Sequence, residues 1–335
     1  MKVLEYLFRK TFKISVDTIE ELKAHSSERR IFRLKSGSFR CIGIYNKYVE
    51  ENKAFLQFSI ALKTSNLKVP LVYAHSKNLK YYLEEDLGDF TLQEHLNQIN
   101  PSDRNKIKLY KKALDNLIDF QLIGAYVIDY KYCYQTDVFN KEQIDSDLKK
   151  FKKYFAHIFL GSNQLNLGYN FIVEFFSKTV TSKRNLYFMY RDFQPRNIMV
   201  KNGDLFFIDY QSGRKGPLQY DLSSFLHSGS IDISDKQRTI LLNYYLKKLS
   251  ERINIKKELF IKNYYKISII RLLQMLGSYG YSYSVTGKKL YLIKSLKAIG
   301  NIQQIMKNIK NRSVINFLNN VVTSKERITR ILEHL

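Results

Sequence analysis

The stretch "YRDFQPRNIMVKNGDLFFIDYQSGRKGPLQYDL", residues 190–222, places two Asp residues and an Asn around two apolar runs. Asp192 and Asn197 are five positions apart, and Asp209 follows twelve positions later. The segment between Asn197 and Asp209 predicts a strand, a turn and a second strand, because its Asn202-Gly203 pair is a strong hairpin signal. Such a hairpin would bring Asn197, where the first strand begins, beside Asp209, where the second strand ends.

Three oxygen-bearing side chains at one end of a hairpin suit Mg²⁺, which prefers hard oxygen ligands and shares them with nucleotide phosphates. Phosphoryl transfer needs a carboxylate to orient or deprotonate the attacking hydroxyl, and oxygen ligands to hold the metal. Asp192, Asn197 and Asp209 are therefore candidates for a site of phosphoryl transfer that holds Mg²⁺. The D-x-x-x-x-N spacing is that of a kinase catalytic loop. A surface hairpin whose Asp and Asn only form turns is the alternative.

The region before this stretch begins with a β-rich pattern. The segments "RRIFRLKSG" and "SFRCIGIYN" predict a hairpin joined by a Ser-Gly turn. Apolar residues at helical spacing in "VEENKAFLQFSIALKTSN" predict a helix. The segments "VPLVYAHS" and "KYYLEEDLG" then return to strand character.

The pattern becomes helical after "LGDF". Thr91 can cap a helix, and a second, strongly amphipathic helix is predicted to end at Gly124. Residues 165–182 and most of the chain beyond residue 235 also predict helices. The expected fold class is therefore α+β, with a small β-rich N-lobe at residues 1–88, a larger helical C-lobe at residues 89–335 and a small-molecule site between them.

The composition describes a basic globular chain with a net charge of +24. About half of this excess lies in residues 251–335, and such a surface attracts nucleotides, acidic sugars, nucleic acid or anionic membranes. A general excess of lysine on a solvated surface is an alternative explanation of this positive charge. Cys41 and Cys133 form no CxxC pair, no run is apolar enough to span a bilayer, and the N-terminus lacks a secretion signal. We expect a cytoplasmic monomer.

The segments "RDFQPRNIMV", "FIDYQSGRKGPLQYDLSSFL" and "EENKAFLQFS…YYLEEDLGDFTL" resemble the aminoglycoside phosphotransferase superfamily, which has a bilobal protein-kinase-like fold. Within it, the chain is most similar to the anomeric N-acetylmuramate and N-acetylglucosamine kinases and their relatives. The resemblance covers roughly residues 25 to 305. It implies a phosphotransferase with an alcohol group as acceptor, which uses ATP and Mg²⁺.

The resemblance implies that Asp192 is the catalytic base and that Asn197 and Asp209 are the Mg²⁺ ligands. It also implies roles for further residues. The segment Glu84 to Leu87 becomes the hinge whose backbone meets adenine, so Glu85, Asp86 and Leu87 are nucleotide-binding candidates. Gln194 and Arg196, on the catalytic loop, become candidates for contacts with phosphate or sugar. Asp129, which follows a predicted core helix, is a substrate-binding candidate with an alternative structural role.

One departure from the kinase pattern concerns the phosphates. The strand "CIGIYN" has no lysine where a kinase carries its phosphate-binding lysine. Glu51, on the following helix, is the candidate for the ion pair that such a lysine makes. Either an arginine near the glycine-poor loop supplies the phosphate contacts, or nucleotide binding is impaired. The arginines considered are Arg29, Arg30, Arg33 and Arg40, and we place Arg30 and Arg33 in the predicted nucleotide site.

Three functions remain open from the sequence. The first is an ATP-dependent sugar kinase that phosphorylates N-acetylmuramate or N-acetylglucosamine at the anomeric hydroxyl in cell-wall recycling. The second is a kinase of another acceptor, such as an aminoglycoside or a choline-like alcohol, although the charge of +24 disfavours cationic acceptors. The third is a catalytically idle scaffold that binds RNA or protein. Retention of all three catalytic polar residues disfavours the scaffold, and nucleic acid is not an expected partner.

Overall fold

The structure is a computed structural model that describes residues 1–22, 28–100, 102–160, 169–180 and 186–334. The strands are β1 Thr18–Leu22, β2 Arg30–Ser36, β3 Phe39–Tyr45, β4 Val72–His75, β5 Tyr81–Glu85, β6 Tyr187–Met189, β7 Ile198–Lys201, β8 Asp204–Phe207 and β9 Arg214–Gly216. The helices are α1 Lys2–Phe12, α2 Val49–Thr64, α3 Leu92–Ile99, α4 Asp103–Val127, α5 Lys141–Phe151, α6 His157–Phe159, α7 Tyr169–Val180, α8 Leu218–Leu226, α9 Asp235–Ser250, α10 Lys257–Thr286, α11 Lys289–Met306 and α12 Arg312–Glu333. The predicted α+β class is confirmed.

Internal packing divides the chain into two compact units. The first comprises Met1–Asp137 with Tyr190–Arg214, and the second comprises Val138–Met189 with Lys215–Leu335. The predicted lobe boundary at residue 88 falls inside the first unit, so the division into lobes stays a prediction. In the part of the chain that the structure describes, no helix is long and apolar enough to cross a membrane.

The first unit is built on a five-stranded antiparallel sheet with the order β1-β2-β3-β5-β4. The predicted β2–β3 hairpin is confirmed, and its turn places Ser36 opposite Phe39. Helix α1 covers one face, where Leu4 and Phe8 pack with sheet residues such as Leu34. A Cβ at Gly43 would lie 2.6 Å from Leu34 Cδ1 in the sheet and 3.1 Å from Leu4 Cδ1 in α1, so the missing side chain leaves room for both. The sequence did not predict α1 or β1.

The hairpin predicted from Asn-Gly is also confirmed. Strands β7 and β8 pair in antiparallel register, from Ile198 opposite Phe207 to Lys201 opposite Asp204. Asn202 and Gly203 form the two-residue turn with φ angles of 52° and 77°. Both angles are positive, as this turn type requires, which is why Asn-Gly is the preferred sequence.

The helical predictions are confirmed with one exception. Thr91 caps α3 through a reciprocal bond pair with Glu94, as a capping box does. Helix α4 does not end at Gly124 but continues to Val127, so that prediction is wrong. Gly124 is buried inside the helix and lacks the positive φ of a terminating glycine. Of the helix predicted over 165–182, residues 169–180 are helical, and its two ends lie outside the described residues.

The second unit is mostly helical, with its core around α5, α10, α11 and α12. A π-helical segment, Lys152–Ala156, continues α5. Helix α10 packs closely against this region because Gly277 has no side chain. A Cβ there would lie 2.7 Å from the Phe151 backbone nitrogen and 2.8 Å from its Cα atom.

Candidate active site

A buried tyrosine, Tyr190, fixes the segment that carries Asp192. Tyr190 has no exposed surface, and its ring packs edge-on against Phe120 and Phe193. Its hydroxyl donates a hydrogen bond to the backbone oxygen of Ile208, at 2.5 Å. Tyr190 thus links the residues just before Asp192 to the residue just before Asp209.

Local hydrogen bonds orient Asp192. The Gln194 side-chain amide donates to the Asp192 Oδ1 atom at 2.9 Å, and Gln194 itself is buried. Pro195–Asn197 form a single 3₁₀ turn, which the Asn197 backbone N–H closes by donating to the Gln194 carbonyl at 2.8 Å. Arg191 holds a φ angle of 78°, a conformation that non-glycine residues rarely adopt. The backbone therefore turns sharply just before Asp192.

The hairpin brings the three predicted oxygen-bearing residues together. The Ile208 N–H donates to the Asn197 carbonyl at 3.1 Å, which holds the two strand ends side by side. The Asn197 side-chain amide donates to the Asp192 backbone carbonyl at 2.9 Å and to the Asp209 Oδ2 atom at 3.3 Å. Asp209 has a positive φ angle of 69°, the kind of backbone strain that concentrates at functional sites.

This donor set fits a magnesium ion shared with a nucleotide. The Asn197 amide nitrogen donates to Asp192 and to Asp209, so the amide oxygen is the atom of this side chain that could act as a ligand together with the Asp209 carboxylate. In the described residues, no group of three or more His, Cys, Asp or Glu side chains could hold a metal. Mg²⁺ needs few protein ligands and completes its shell with water and phosphate.

Arg29 lies at the Asp209 end of this site. Its guanidinium donates to the Glu51 carboxylate, and its Nη1 atom lies 3.4 Å from Asp209 Oδ1. Burial opposes the charged form, but the nearby Tyr82, Asp209 and Glu51 outweigh burial and raise the pKa of Arg29 above its ordinary value. Arg29 is therefore a fixed cation beside the predicted metal ligands.

Glu51 is held from several directions. Asn46 donates to its Oε2 atom at 3.0 Å, and the Gln211 amide donates to its Oε1 atom at 3.3 Å. The same Gln211 amide also donates to Asp209 Oδ1 at 2.8 Å. Glu51, Gln211, Asp209 and Arg29 thus form one connected polar network. The sequence predicted Glu51 as a site residue but did not predict Gln211. The signal that could have identified Gln211 was its position two residues after Asp209.

The predicted hinge, Glu84 to Leu87, lies at and just beyond the end of β5. Lys201 donates to the Glu85 carboxylate at 2.7 Å and to the Asp86 backbone oxygen at 3.1 Å. Leu87 is buried. These contacts fix the segment, and its contact with adenine stays a prediction.

Glu84 lies in this segment with one buried carboxylate oxygen, Oε2, that no donor in the described residues reaches. Burial raises the pKa of its carboxyl to about 8, with Arg29 opposing and Glu85 adding to the shift. Near neutral pH, the carboxyl is therefore mostly protonated.

The structure places Arg30 and Arg33 in other ion pairs. Arg30 bonds to Glu21 on the exposed part of the sheet, at 2.9 and 2.8 Å. Arg33 is buried and bonds to the Asp86 carboxylate at 2.8 and 3.2 Å. The predicted nucleotide contacts of Arg30, Arg33 and Asp86 are not tested by these pairs and stay predictions.

Two further candidates lie at different places in the first unit. Arg196 is exposed on the catalytic turn. Asp129 caps the short 3₁₀ turn Tyr130–Tyr132 by accepting from the Lys131 backbone, and it forms an ion pair with the Lys131 side chain at 2.6 Å. This cap is the structural role that was predicted from the sequence as the alternative for Asp129. The substrate contacts of Arg196, Gln194 and Asp129 stay predictions.

Residues 18–254 match the phosphotransferase enzyme family, APH, and the chain belongs to this family. The expected resemblance and the enzyme class, a phosphotransferase with a hydroxyl acceptor, are thereby confirmed at the level of the family. The N-acetylmuramate/N-acetylglucosamine kinase of Pseudomonas aeruginosa strain PAO1 is 24% identical over 227 residues, which are 67% of this chain. The matched region spans 63% of that relative's length.

Solved structures share the fold at low sequence identity. Choline kinase LicA from Streptococcus pneumoniae has a TM-score of 0.58 at 14% identity, covering 90% of this chain and 98% of its own. Aminoglycoside phosphotransferase APH(2'')-Ib, ADP-bound, has a TM-score of 0.60 at 14% identity, covering 96% and 97%. Spectinomycin phosphotransferase APH(9)-Ia, in complex with ADP and spectinomycin, has a TM-score of 0.56 at 13% identity, covering 97% and 98%. The predicted protein-kinase-like fold is thereby confirmed.

Proposed function

We propose that this protein is an ATP- and Mg²⁺-dependent small-molecule kinase that phosphorylates an amino sugar, N-acetylmuramate or N-acetylglucosamine, at the anomeric hydroxyl. The observation that carries the proposal is the convergence of Asp192, Asn197 and Asp209 at one hairpin end, with the Asn197 amide bonded to both other residues. The choice of acceptor rests on the 24% identical relative named for these two sugars.

In this reaction the acceptor oxygen attacks the terminal phosphorus of ATP, the bond to the bridging oxygen breaks, and ADP leaves. The hydroxyl proton passes to the Asp192 carboxylate, which the Gln194 amide holds in place at 2.9 Å. Asn197 and Asp209 would hold Mg²⁺, which neutralises charge on the phosphates when it is bound. Most of the rate gain would come from positioning and electrostatics, since little covalent chemistry is left to the protein.

The high positive charge of the chain is compatible with both anionic partners. ATP is a polyanion, and N-acetylmuramate carries a lactyl carboxylate, so a net charge of +24 raises the local concentration of both. Aminoglycosides and choline are cations and gain nothing from that field. The charge therefore supports the acidic amino sugar among the acceptors considered.

The test is an acceptor screen with purified protein and Mg·ATP, read out as ADP formation. The panel contains N-acetylmuramate, N-acetylglucosamine, their methyl glycosides, choline and an aminoglycoside. We expect turnover with a free amino sugar, none with the methyl glycosides, and a phosphorus NMR signal of a sugar 1-phosphate. Turnover with choline or the aminoglycoside, and with neither amino sugar, would show that the acceptor is not an amino sugar. If the protein binds an RNA oligonucleotide and does not respond to Mg·ATP, the proposed kinase function is contradicted.

A further inference from the structure

The cation that pairs with Glu51 does not come from strand β3. Strand β3, Phe39–Tyr45, contains no lysine, yet Glu51 on the next helix is paired with a cation. That cation is Arg29, the residue immediately before β2, which is the neighbour of β3 in the sheet. A guanidinium therefore reaches, from the start of the neighbouring strand, the carboxylate with which a kinase lysine pairs.

We propose that Arg29 binds the phosphates of the nucleotide in place of the missing strand lysine, with Glu51 as its positioning residue. This inference rests on the proposed function, since it assumes a nucleotide at the Asp209 end of the site. Arginine suits the role because its planar guanidinium offers several donors and binds phosphate in a two-pronged manner. One edge can stay on Glu51 while another faces phosphate oxygens.

The two contacts of Arg29 differ in how firmly they are held. Glu51 is fixed by Asn46 at 3.0 Å and by Gln211 at 3.3 Å, so its pair with Arg29 has a rigid base. The contact to Asp209 is long, 3.4 Å between Arg29 Nη1 and Asp209 Oδ1. We expect the contact with Asp209 to be exchanged for phosphate oxygens while the pair with Glu51 is kept.

The other arginines considered for this role are paired elsewhere. Arg30 bonds to Glu21, and its side chain is 55% exposed. Arg33 bonds to Asp86 and to Asp89, the latter at 2.6 Å. Arg40 lies 3.2 Å from the same Asp86 carboxylate. Of these four arginines, Arg29 is the one that contacts a predicted metal ligand, Asp209.

The experiment measures binding of Mg·AMP-PNP, a non-hydrolysable ATP analogue, by calorimetry. We expect Arg29→Gln to weaken binding about 10- to 100-fold, the range for lost hydrogen bonds between charged groups. Arg29→Lys should recover part of the loss because it restores a cation. Adenosine, which has no phosphates, should bind both variants as it binds the wild type in a competition assay. Lys35→Gln, at a partly exposed residue of β2 that pairs with Glu20, is the matched control and should bind normally.

Steady-state kinetics give a second readout, in which Arg29→Gln raises KM for ATP and leaves KM for the acceptor unchanged. The proposal is overturned if Arg29→Gln binds Mg·AMP-PNP as tightly as Lys35→Gln, or if Arg30→Gln or Arg33→Gln shows the phosphate-dependent loss instead. Equal weakening of adenosine and Mg·AMP-PNP would also overturn it, because that result indicates general damage. Failure of the wild type to bind Mg·AMP-PNP would contradict the proposed function itself and this assignment with it.

Discussion

The side-chain amide of Asn197 donates a hydrogen bond to the backbone carbonyl of Asp192 at 2.9 Å. The bond closes the turn between Asp192 and Asn197, and the same amide nitrogen also donates to the Asp209 Oδ2 atom at 3.3 Å. The predicted base and the two predicted metal ligands are thereby connected to one another within one short segment.

The Tyr190 hydroxyl holds the residue just before Asp209 through the Ile208 carbonyl. Tyr190→Phe removes the donor to the Ile208 carbonyl while it keeps the packed ring. We expect a loss of about 1–2 kcal/mol in the free energy of unfolding, because a buried acceptor loses its partner. Urea denaturation measures it. Tyr126→Phe, at a residue that is 91% exposed, is the matched control. Equal stability of the two variants would contradict the structural role.

Glu84 makes stability depend on pH. Because its pKa in the folded state is about 8, the folded protein holds a proton that the unfolded chain releases near pH 4.5. The stability contributed by this proton is fully present below the unfolded pKa and is lost as pH rises through about 8. The groups around the carboxyl are Arg29, Glu85, Tyr82 and Tyr210.

Glu84→Gln removes this titration and keeps the shape of the side chain. Relative to the wild type, the variant should gain at least about 1 kcal/mol of unfolding free energy between about pH 5 and about pH 8.5. Denaturant melts of both proteins at the two pH values measure the difference. Parallel pH profiles for wild type and variant would show that Glu84 is ionised in the folded protein.

Gly277 is required where α10 meets the backbone of Phe151. Gly277→Ala places a Cβ 2.7 Å from a backbone nitrogen that cannot rotate away, so we expect a loss of about 1–3 kcal/mol or more. Gly300, inside α11, is the matched control, since a Cβ there meets nothing within 4 Å. Gly300→Ala should stabilise by about 0.5–1 kcal/mol through helix propensity. Thermal melts of both variants compare the two effects, and a stabilising Gly277→Ala would contradict the close packing.

The sequence predicted the parts of the site that local patterns determine. Asn202-Gly203 fixes the hairpin register, and the register brings Asn197 to Asp209. Two residues twelve positions apart can therefore be placed side by side from the sequence alone. The Tyr190 hydrogen bond escaped prediction because its acceptor is a backbone carbonyl, which leaves no mark in the sequence.

Other parts of the site depend on packing that the sequence does not encode locally. Arg29, Arg30 and Arg33 cluster within five positions, and successive strand residues face opposite sides of a sheet. The residue at which β2 begins therefore decides which arginine reaches Glu51, and strand ends are hard to predict. The prediction that α4 ends at Gly124 failed for a similar reason. A glycine typically ends a helix where the chain leaves the helix with a positive φ angle, and Gly124 does not have one.

The central claim, that Asp192 takes the proton of the acceptor hydroxyl at a site built by Asn197 and Asp209, is tested most directly by Asp192→Asn. We expect kcat for the amino sugar to fall about 10²- to 10⁴-fold, while the affinity for Mg·AMP-PNP stays within about twofold of the wild type. Asp204→Asn, in the same hairpin with its carboxylate on Lys68 and Lys112, is the matched control and should keep full activity. Undiminished phosphorylation by Asp192→Asn would contradict the account.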